Sequence, residues 1–370
     1  MITLIVFVFV ISLLIFVHEL GHFVTARKLG VAVEEFGFGF PPRIAGIKRG
    51  ETIYSINWIP FGGFVRMKGE APDAPKEPNS FAAQATGRRF VILAAGVFMN
   101  YLLAALLFTI GFSIGLPTAV DPGTAPSHVS NVHAEIVSTD NGSPADKAGI
   151  KAGDTITAIN TTAIQSTDQI RQTLQETADK QVSVVVLRNG KELTLPVVPA
   201  KSSDGSYRIG IGISDVGTLS YPFPESIVQG VVLTGNVTGR IFNSFGTLLH
   251  DLVIERKVSA DLSGPVGVVV LTGQAVRLGW AYLIQFVALL SVTLAVVNFF
   301  PLPALDGGRA LFVLIEMFRG KPINERVESL IHAIGFYALI ALVLLISVHD
   351  LQRYDIGGAI SRNVHALFSH

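Results

Sequence analysis

The feature that most constrains this chain is an apolar segment, residues 2–26, that carries a polar cluster near its end. The segment is long enough to cross the hydrocarbon core of a bilayer, about 30 Å thick, as a single helix. It has neither the basic start nor the small-residue cleavage site of a signal peptide, so we predict a retained membrane span. The cluster Val17-His18-Glu19-Leu20-Gly21-His22 lies where unpaired polar groups are costly, and we therefore expect its side chains to have partners.

His18 and His22 stand four residues apart, and on an α-helix this spacing places both imidazoles on one face. Two such imidazoles can bind one metal ion with Glu19 beside them, which is the HExxH pattern of zinc proteases. Zinc held in this way makes water nucleophilic at neutral pH, and the adjacent glutamate can accept a proton from that water. The alternative, two surface histidines beside a solvated glutamate, fits the apolar context poorly.

Composition supports a membrane protein and argues against nucleic-acid binding. The chain of 370 residues is 49% hydrophobic and 15% charged, and its 28 basic residues balance 28 acidic ones. A nucleic-acid-binding protein would be expected to have a basic excess. The absence of cysteine excludes disulfides and cysteine metal sites but leaves the redox compartment undecided.

Charge placement orients the spans. Residues 27–89 contain ten Lys and Arg residues, so the positive-inside rule predicts that this segment is cytoplasmic and that the metal site lies near the cytoplasmic half of the membrane. Further apolar runs predict spans at 90–116, 278–300 and 330–348, about four in all, with residues 350–370 outside them. In the second span, Gly96 and Asn100 favour close helix packing, and a role for Asn100 near the site stays open.

The cytoplasmic segment contains two strand-like runs, 37–40 and 52–67, joined through a Pro- and Gly-rich turn. They are too apolar for an ordinary surface hairpin. One interpretation is a strand pair packed on the helices. The other is a hairpin that dips into the membrane, whose free edge pairs with a substrate in extended form.

Residues 142–160, GSPADKAGIKAGDTITAIN, lie among short strand-like runs and resemble the signature of a PDZ domain in its circularly permuted form. The resemblance implies a groove, with Ala148, Gly149 and Ile150 in it, that accepts the end of an extended peptide. On the topology above, this domain is extracytoplasmic. A small β-rich domain with no ligand is the alternative.

These segments predict four regions. Residues 1–116 form a membrane core with the HExxH cluster and the hairpin, and residues 127–200 form one PDZ domain. Residues 201–277 hold Gly- and Pro-rich turns and an amphipathic helix over 225–253, which lies on the membrane or packs on the PDZ domain. Residues 278–370 form the second part of the membrane core.

The third span ends in Asn298-Phe299-Phe300-Pro301-Leu302-Pro303-Ala304-Leu305-Asp306-Gly307-Gly308. Its two prolines must break the helix, so Asp306 lies on irregular backbone that needs protein or water around it at membrane depth. A catalytic zinc usually takes three protein ligands, and Asp306 is the best candidate for the third. The alternative is an aspartate that caps the following helix.

The HExxH cluster in the first span, the PDZ signature and the NxxPxPxLDGG run of the third span together resemble the site-2 protease family of intramembrane zinc proteases, particularly the bacterial regulator-of-sigma-E proteases. The resemblance covers essentially the whole chain, including the segment Ser263-Gly264-Pro265-Val266-Gly267. One departure is that enterobacterial members carry tandem PDZ domains, whereas this chain has one PDZ signature.

The resemblance implies a role for each matching residue. His18, His22 and Asp306 would bind Zn²⁺, and Glu19 would be the catalytic base. Asn298 would hold the substrate or stabilise the oxyanion. The substrate strand would be guided by the hairpin residues Trp58, Phe61, Gly62, Gly63 and Phe64.

The implied fold is a polytopic α-helical membrane protein with a membrane-associated β-hairpin and one inserted extracytoplasmic α+β PDZ domain, located in the bacterial cytoplasmic membrane. The implied activity is cleavage of the transmembrane segment of single-pass proteins, such as anti-sigma factors or signal-peptide remnants. The partners would be these substrates, membrane lipid and peptide ends at the PDZ domain, with no nucleic acid.

Two other interpretations remain. The chain could be a catalytically inactive PDZ scaffold in the membrane, although a scaffold has no need of all four polar site residues. It could also be a metal carrier, but the remaining histidines form no intramembrane path and are interpreted as solvated or interfacial. These are His128, His133, His250, His332, His349, His365 and His370.

Overall fold

The structure is a computed structural model that describes residues 2–71, 77–120, 127–140, 142–188, 190–202, 205–255 and 264–353. Within these ranges, four helices are long and apolar enough to cross a membrane. The first two helices are α1 (Ile2–Lys28) and α2 (Thr86–Ile114), separated by strands β1 (Val33–Arg49) and β2 (Thr52–Met67). These elements agree with the predicted first two spans and the strand pair between them.

The following elements alternate between strands and short helices before the chain returns to long helices. In order they are β3 (Leu116–Ala119), β4 (Val129–Thr139), α3 (Pro144–Lys147), β5 (Thr155–Ile159), β6 (Thr162–Ala163), α4 (Thr167–Thr177), β7 (Val182–Arg188), β8 (Lys191–Val197), β9 (Ala200–Lys201), β10 (Tyr207–Arg208), β11 (Ile211–Leu219), α5 (Glu225–His250), a π-helical turn (Asp251–Glu255), α6 (Pro265–Leu278), α7 (Trp280–Phe299), α8 (Asp306–Arg319) and α9 (Glu325–Arg353).

The chain divides into two compact units. The first comprises Met1–Phe108, Gly230–Gly273 and Phe286–His370, and the second comprises Thr109–Gln229 and Gln274–Gln285. In the first unit, the long helices leave large apolar side chains exposed, for example Leu344 and Leu345 of α9 at 62% and 68%. Apolar surface of this kind is expected on helices that face lipid.

The strand pair of the first unit is more than the simple hairpin that the sequence predicted. Residues 35–38 of β1 pair with residues 53–56 of β2 and also with residues 63–66, while residues 43–49 of β1 pair with residues 52–57. Both strands are therefore bent, and the first part of β1 has a neighbour on each side. We call this structure the membrane-side sheet, residues 33–67. Its turn region exposes large apolar side chains, including Trp58 at 67% and Phe61 at 42%.

The second unit is built on a sheet with the strand order β3-β11-β4-β5-β7-β8, and β6 pairs with β5. Its core contains Ile136, Ile156, Val184 and Val186, none of which is more than 1% exposed. The sheet extends beyond the predicted domain bounds of 127–200, because β3 and β11 belong to it. The sequence indicated only Gly- and Pro-rich turns after Tyr207, whereas the structure has the nine-residue strand β11.

The predicted helix over 225–253 is confirmed as α5 and the turn that follows it. Helix α6 was not predicted. Its first residues are held by Asp350, which the sequence placed outside the spans but which is fully buried in α9. The Oδ2 atom of Asp350 accepts hydrogen bonds from the backbone N–H groups of Gly264 and Gly267, at 2.9 and 2.8 Å. The carboxylate therefore satisfies donors at the start of α6. Residues 354–370 lie outside the described residues.

Candidate metal centre

The two histidines of the HExxH cluster lie on one buried face of α1, as their spacing predicted. His18 and His22 are 5% and 4% exposed, and their Nε2 atoms are 3.2 Å apart. Helix α2 passes directly over them at Gly96. A Cβ atom on Gly96 would lie 2.8 Å from His18 Nε2 and closer still to His22 Nε2. Only glycine leaves room for both imidazoles at this point.

Asp306 reaches the same place from the other end of the sequence. It is the first residue of α8, after the irregular stretch of residues 300–305 that follows α7. Its Oδ2 atom lies 2.7 Å from His18 Nε2 and 3.3 Å from His22 Nε2. One ligand atom from each of the three side chains lies within 4.8 Å of the other two. The structure thus brings the three predicted ligands together.

Further contacts fix the orientation of each imidazole. His22 Nδ1 lies 2.8 Å from the carbonyl oxygen of Ile92, and because this oxygen only accepts, Nδ1 carries the proton and Nε2 presents its lone pair to the site. His18 Nδ1 faces the side-chain amide of Asn100, with Nδ2 at 3.4 Å. Among the described residues, no group bonds to the buried Oδ1 atom of Asn100.

A half-turn of this amide would place Asn100 Oδ1 against His18 Nδ1. The oxygen would then accept the Nδ1 proton and leave Nε2 free as a ligand atom, which is the arrangement that metal-binding histidines use. Asn100 is itself held from the third span, since Ser291 Oγ donates to its backbone oxygen at 2.8 Å. Two nitrogens, one carboxylate oxygen and an oriented partner for each imidazole form a donor set that fits zinc.

The predicted base, Glu19, lies half-buried on α1 between the two histidines in sequence. Asn298 is half-buried in the last turn of α7, eight residues before Asp306 in the sequence. The roles of both residues remain predictions.

The predicted substrate residues of the membrane-side sheet divide into two groups. Trp58 and Phe61 are exposed, and Phe64 is half-buried. Gly62 and Gly63 are buried against α1, where added Cβ atoms would lie 2.6 Å from Ile15 and 3.3 Å from Phe16. These two glycines therefore bring the sheet onto the helix that carries the histidines.

A serine strengthens this attachment. Ser12 Oγ donates to the carbonyl oxygen of Pro60 at 2.6 Å and accepts from the backbone N–H of Gly62 at 3.2 Å. The serine is 2% exposed, so both bonds are shielded from water. Six residues, less than two helical turns, separate Ser12 from His18.

In the second unit, the residues predicted to line a peptide groove form an internal turn. The backbone N–H groups of Ala148, Gly149 and Ile150 all bond to carbonyl oxygens of residues 144–146, and the side chain of Ile150 is 2% exposed in the core. Ile150 therefore packs in the core, and the assignment of Ala148, Gly149 and Ile150 to a peptide groove stays a prediction. Gly149 adopts a φ of +82°, which explains the glycine of the signature.

A partly buried ion pair also explains part of the signature. Asp154 is fully buried, and Arg188 contacts both of its oxygens at 2.6 Å. Arg188 also donates to the carbonyl oxygen of Gly149 at 2.7 Å. The signature residues therefore build the domain core.

Sequence reasoning missed several contacts around the centre. The spacing of Gly96 and Asn100 indicated helix packing, but nothing local showed that both residues meet the histidines. Arg309 donates to Glu70 Oε1 at 2.6 Å and to the Glu70 backbone oxygen at 3.0 Å, which connects α8 to the segment that follows the membrane-side sheet. His332, interpreted as solvated or interfacial, bonds to the stretch that precedes Asp306.

Comparisons with known proteins agree with this geometry. The model of Peptidase family M50 matches residues 6–343. A Clostridium perfringens protein provisionally named a zinc metalloprotease is 36% identical over 343 residues, which cover 92% of this chain and 96% of that protein. The zinc metalloprotease RasP of Geobacillus kaustophilus is 32% identical over 95% of this chain and 98% of its own length. The regulator of sigma-W protease RasP of Bacillus subtilis is 30% identical with the same coverage.

Among solved structures, the PDZ domain of an SdrC-like protein from Listeria monocytogenes matches 23% of this chain and 90% of its own, at 22% identity and a TM-score of 0.21. The family match includes both histidines, the glutamate and the aspartate of the centre, and two of these relatives are named zinc metalloproteases, in agreement with the donor set. The chain therefore belongs to Peptidase family M50, the site-2 protease family, and is a metalloprotease.

Proposed function

We propose that this protein is an intramembrane zinc endopeptidase that cleaves the transmembrane segment of single-pass membrane proteins, of the anti-sigma factor or signal-peptide-remnant type. The observation that carries the proposal is the convergence of His18, His22 and Asp306 within 4.8 Å. The histidines lie on α1 and Asp306 lies seven residues after the end of α7, and both of these helices are apolar enough to span a membrane. Ligands so placed can act on a peptide bond at membrane depth.

We propose that His18 Nε2, His22 Nε2 and one oxygen of Asp306 hold Zn²⁺. The bound ion would supply Lewis acidity toward the scissile carbonyl and toward water. Glu19, next to His18 on the same helix, would accept the proton of the attacking water and pass it to the leaving amine. Asn298 would hold the substrate backbone or donate to the developing oxyanion.

A helical substrate hides its amide groups, so it has to unwind before hydrolysis. The membrane-side sheet supports a role in this step, because its exposed apolar side chains, including Trp58 and Phe61, suit lipid or an apolar peptide. The contacts of Ser12 connect the sheet to α1. We propose that an unwound substrate strand pairs with the sheet close to the metal ligands.

We further propose that the second unit is a PDZ domain on the extracytoplasmic side of the bacterial cytoplasmic membrane. The ten basic residues of segment 27–89 favour this orientation. Residues 211–214 of β11 pair with β4, while among the described residues β3 pairs with residues 216–219 and leaves the other side of residues 211–214 open. Thr167 at the start of α4 donates to Asp215 at 2.9 Å. This strand edge beside α4 suits a peptide end better than Ala148, Gly149 and Ile150 do.

The test uses purified protein in lipid with a single-pass model substrate. Wild type, Glu19→Gln and chelator-treated wild type are compared, because glutamine keeps the shape of glutamate but cannot accept the proton. We expect wild type to cleave within the transmembrane segment, the variant to lose cleavage, and added zinc to restore it after chelation. Equal cleavage by Glu19→Gln would contradict the proposal. Binding of several substrates without any cleavage would favour a non-catalytic PDZ scaffold.

A further inference from the structure

Asp306 follows an irregular stretch of backbone that has few internal hydrogen bonds, among them Leu302 N–H to Phe300 O at 2.7 Å and Leu305 N–H to Leu302 O at 3.2 Å. The stretch between α7 and α8 contains Pro301 and Pro303, which supply no N–H donors. Ala304, two residues before Asp306, adopts a φ of +74°. A non-glycine residue keeps this left-handed conformation only where the surrounding structure fixes it.

Helix α9 provides that surrounding structure through His332. The backbone N–H of Ala304 donates to His332 Nδ1 at 2.9 Å. Because the backbone group can only donate, Nδ1 must be the acceptor, and the proton of the neutral ring is on Nε2. The centroid of the His332 ring also lies 5.4 Å from the ring centroid of Phe312 in α8. His332 therefore contacts the chain before and after Asp306.

A second contact lies three residues farther along α9. A Cβ atom on Gly335 would lie 3.0 Å from the backbone carbon of Pro303, and closer still to its side chain. Glycine thus lets α9 approach the irregular stretch to contact distance. His332 and Gly335 are three residues apart, so they lie on the same face of α9. Their contacts therefore reach two adjacent residues, Ala304 and Pro303.

We infer that His332 and Gly335 of the fourth apolar helix are positioning residues, which fix the left-handed turn at Ala304 and thereby set Asp306 against His18 and His22. The histidine acts through one acceptor atom and the glycine through the space it leaves. The inference rests on the proposed zinc site, since it explains how the third ligand of that site is placed.

The test measures zinc affinity of the purified full chain by competition with a chromophoric chelator. His332→Leu removes the acceptor, and His332→Asn offers Oδ1 close to the former position of Nδ1. We expect the leucine variant to lose about tenfold to hundredfold in zinc affinity, as is typical when a group that orients a metal ligand is removed. The asparagine variant should stay within about threefold of wild type. Gly335→Ala should resemble the leucine variant.

Ile334→Ala is the matched control, because Ile334 lies on the same turn and is 61% exposed. It should bind zinc like wild type. Equal affinity of wild type and His332→Leu, or equal losses in His332→Leu and His332→Asn, would overturn the inference. If wild type itself binds no zinc that His18→Ala removes, the proposed zinc site fails instead, so the two failures are distinguishable.

Discussion

The metal centre is built from two regions that hold their ligands in different ways. His18 and His22 lie one turn apart on a regular helix, so the backbone of α1 alone fixes their relative position. Asp306 lies at the end of an irregular stretch, between Ala304, which contacts His332 of α9, and Arg309, which contacts Glu70. The ligand pair on one helix needs space and a partner that orients each imidazole, whereas a ligand on irregular backbone also needs contacts that fix the backbone itself.

The largest loss of zinc affinity is expected from a side chain that fills the space between α2 and the histidine pair. In Gly96→Ala, the new methyl group would lie 2.8 Å from His18 Nε2, so at least one imidazole must rotate away. We predict a loss of about a hundredfold in zinc affinity and a corresponding loss of proteolysis. Gly87→Ala in the same helix is the control, because no atom lies within 4 Å of its Cβ position. Zinc binding by Gly96→Ala at wild-type strength would show that the histidine pair can adjust.

The next largest loss of zinc affinity is expected from a substitution that displaces the irregular stretch, residues 300–305. In Gly308→Ala, the Cβ atom would lie 2.8 Å from the backbone carbon of Leu302, and closer still to its oxygen. Backbone cannot rotate away as a side chain can, so the turn that carries Asp306 must shift. We predict roughly thirtyfold weaker zinc binding, within the range for displaced ligand supports. Unchanged affinity, measured by the same chelator competition, would mean that Asp306 tolerates movement of its backbone.

A smaller loss of zinc affinity is expected from substitution of Arg309, which follows Asp306 in α8 and pairs with Glu70. Arg309 and Glu70 pair at 2.6 Å, with 28% and 26% of their side chains exposed. Solvent screening reduces such a pair to about 1 kcal/mol, so Arg309→Leu should weaken zinc binding about fivefold. A double-mutant cycle with Glu70→Gln measures the coupling directly. Independent, additive effects of the two substitutions would show that the pair does not support Asp306.

The smallest effect on zinc affinity is expected from substitution of Glu35, a residue of β1 whose side chain contacts Arg43, Ser55 and Arg66. Burial raises its pKa, but hydrogen bonds from Arg43 and Ser55 and the charges of Arg43 and Arg66 outweigh this and hold the pKa below the usual value of 4.5. A lowered pKa in the folded state means that the carboxylate stabilises the sheet above about pH 4.5 and that this stabilisation is lost as the pH falls further.

Hydrogen exchange of the β1 amides should therefore become faster in wild type as the pH is lowered through this range, after correction for intrinsic exchange rates. In Glu35→Gln the corrected rates should change less with pH, and zinc affinity at neutral pH should equal that of wild type. The same pH response in both proteins would exclude Glu35 as its source.

The difference between the two regions also explains what could be predicted from the sequence. The histidine pair follows from a spacing of four residues, and the spans follow from runs of apolar residues, so both are local signals. The contact of His332 with Ala304 left no local signal, because its partner is a backbone N–H 28 positions away. The double pairing of β1 and the addition of β11 to the sheet also depend on contacts between distant segments. The structure also places the signature residue Ile150 in the domain core, which the signature alone did not indicate.

The measurement that tests the central claim most directly is zinc K-edge X-ray absorption of the purified protein in lipid. The account predicts one zinc per chain with two imidazole nitrogens at about 2.0–2.1 Å and oxygen ligands at similar distances. His22→Ala should remove one imidazole signal, and Asp306→Ala should remove an oxygen ligand while both imidazoles remain. A zinc spectrum that is the same in wild type and in both variants would place the metal elsewhere and contradict the account.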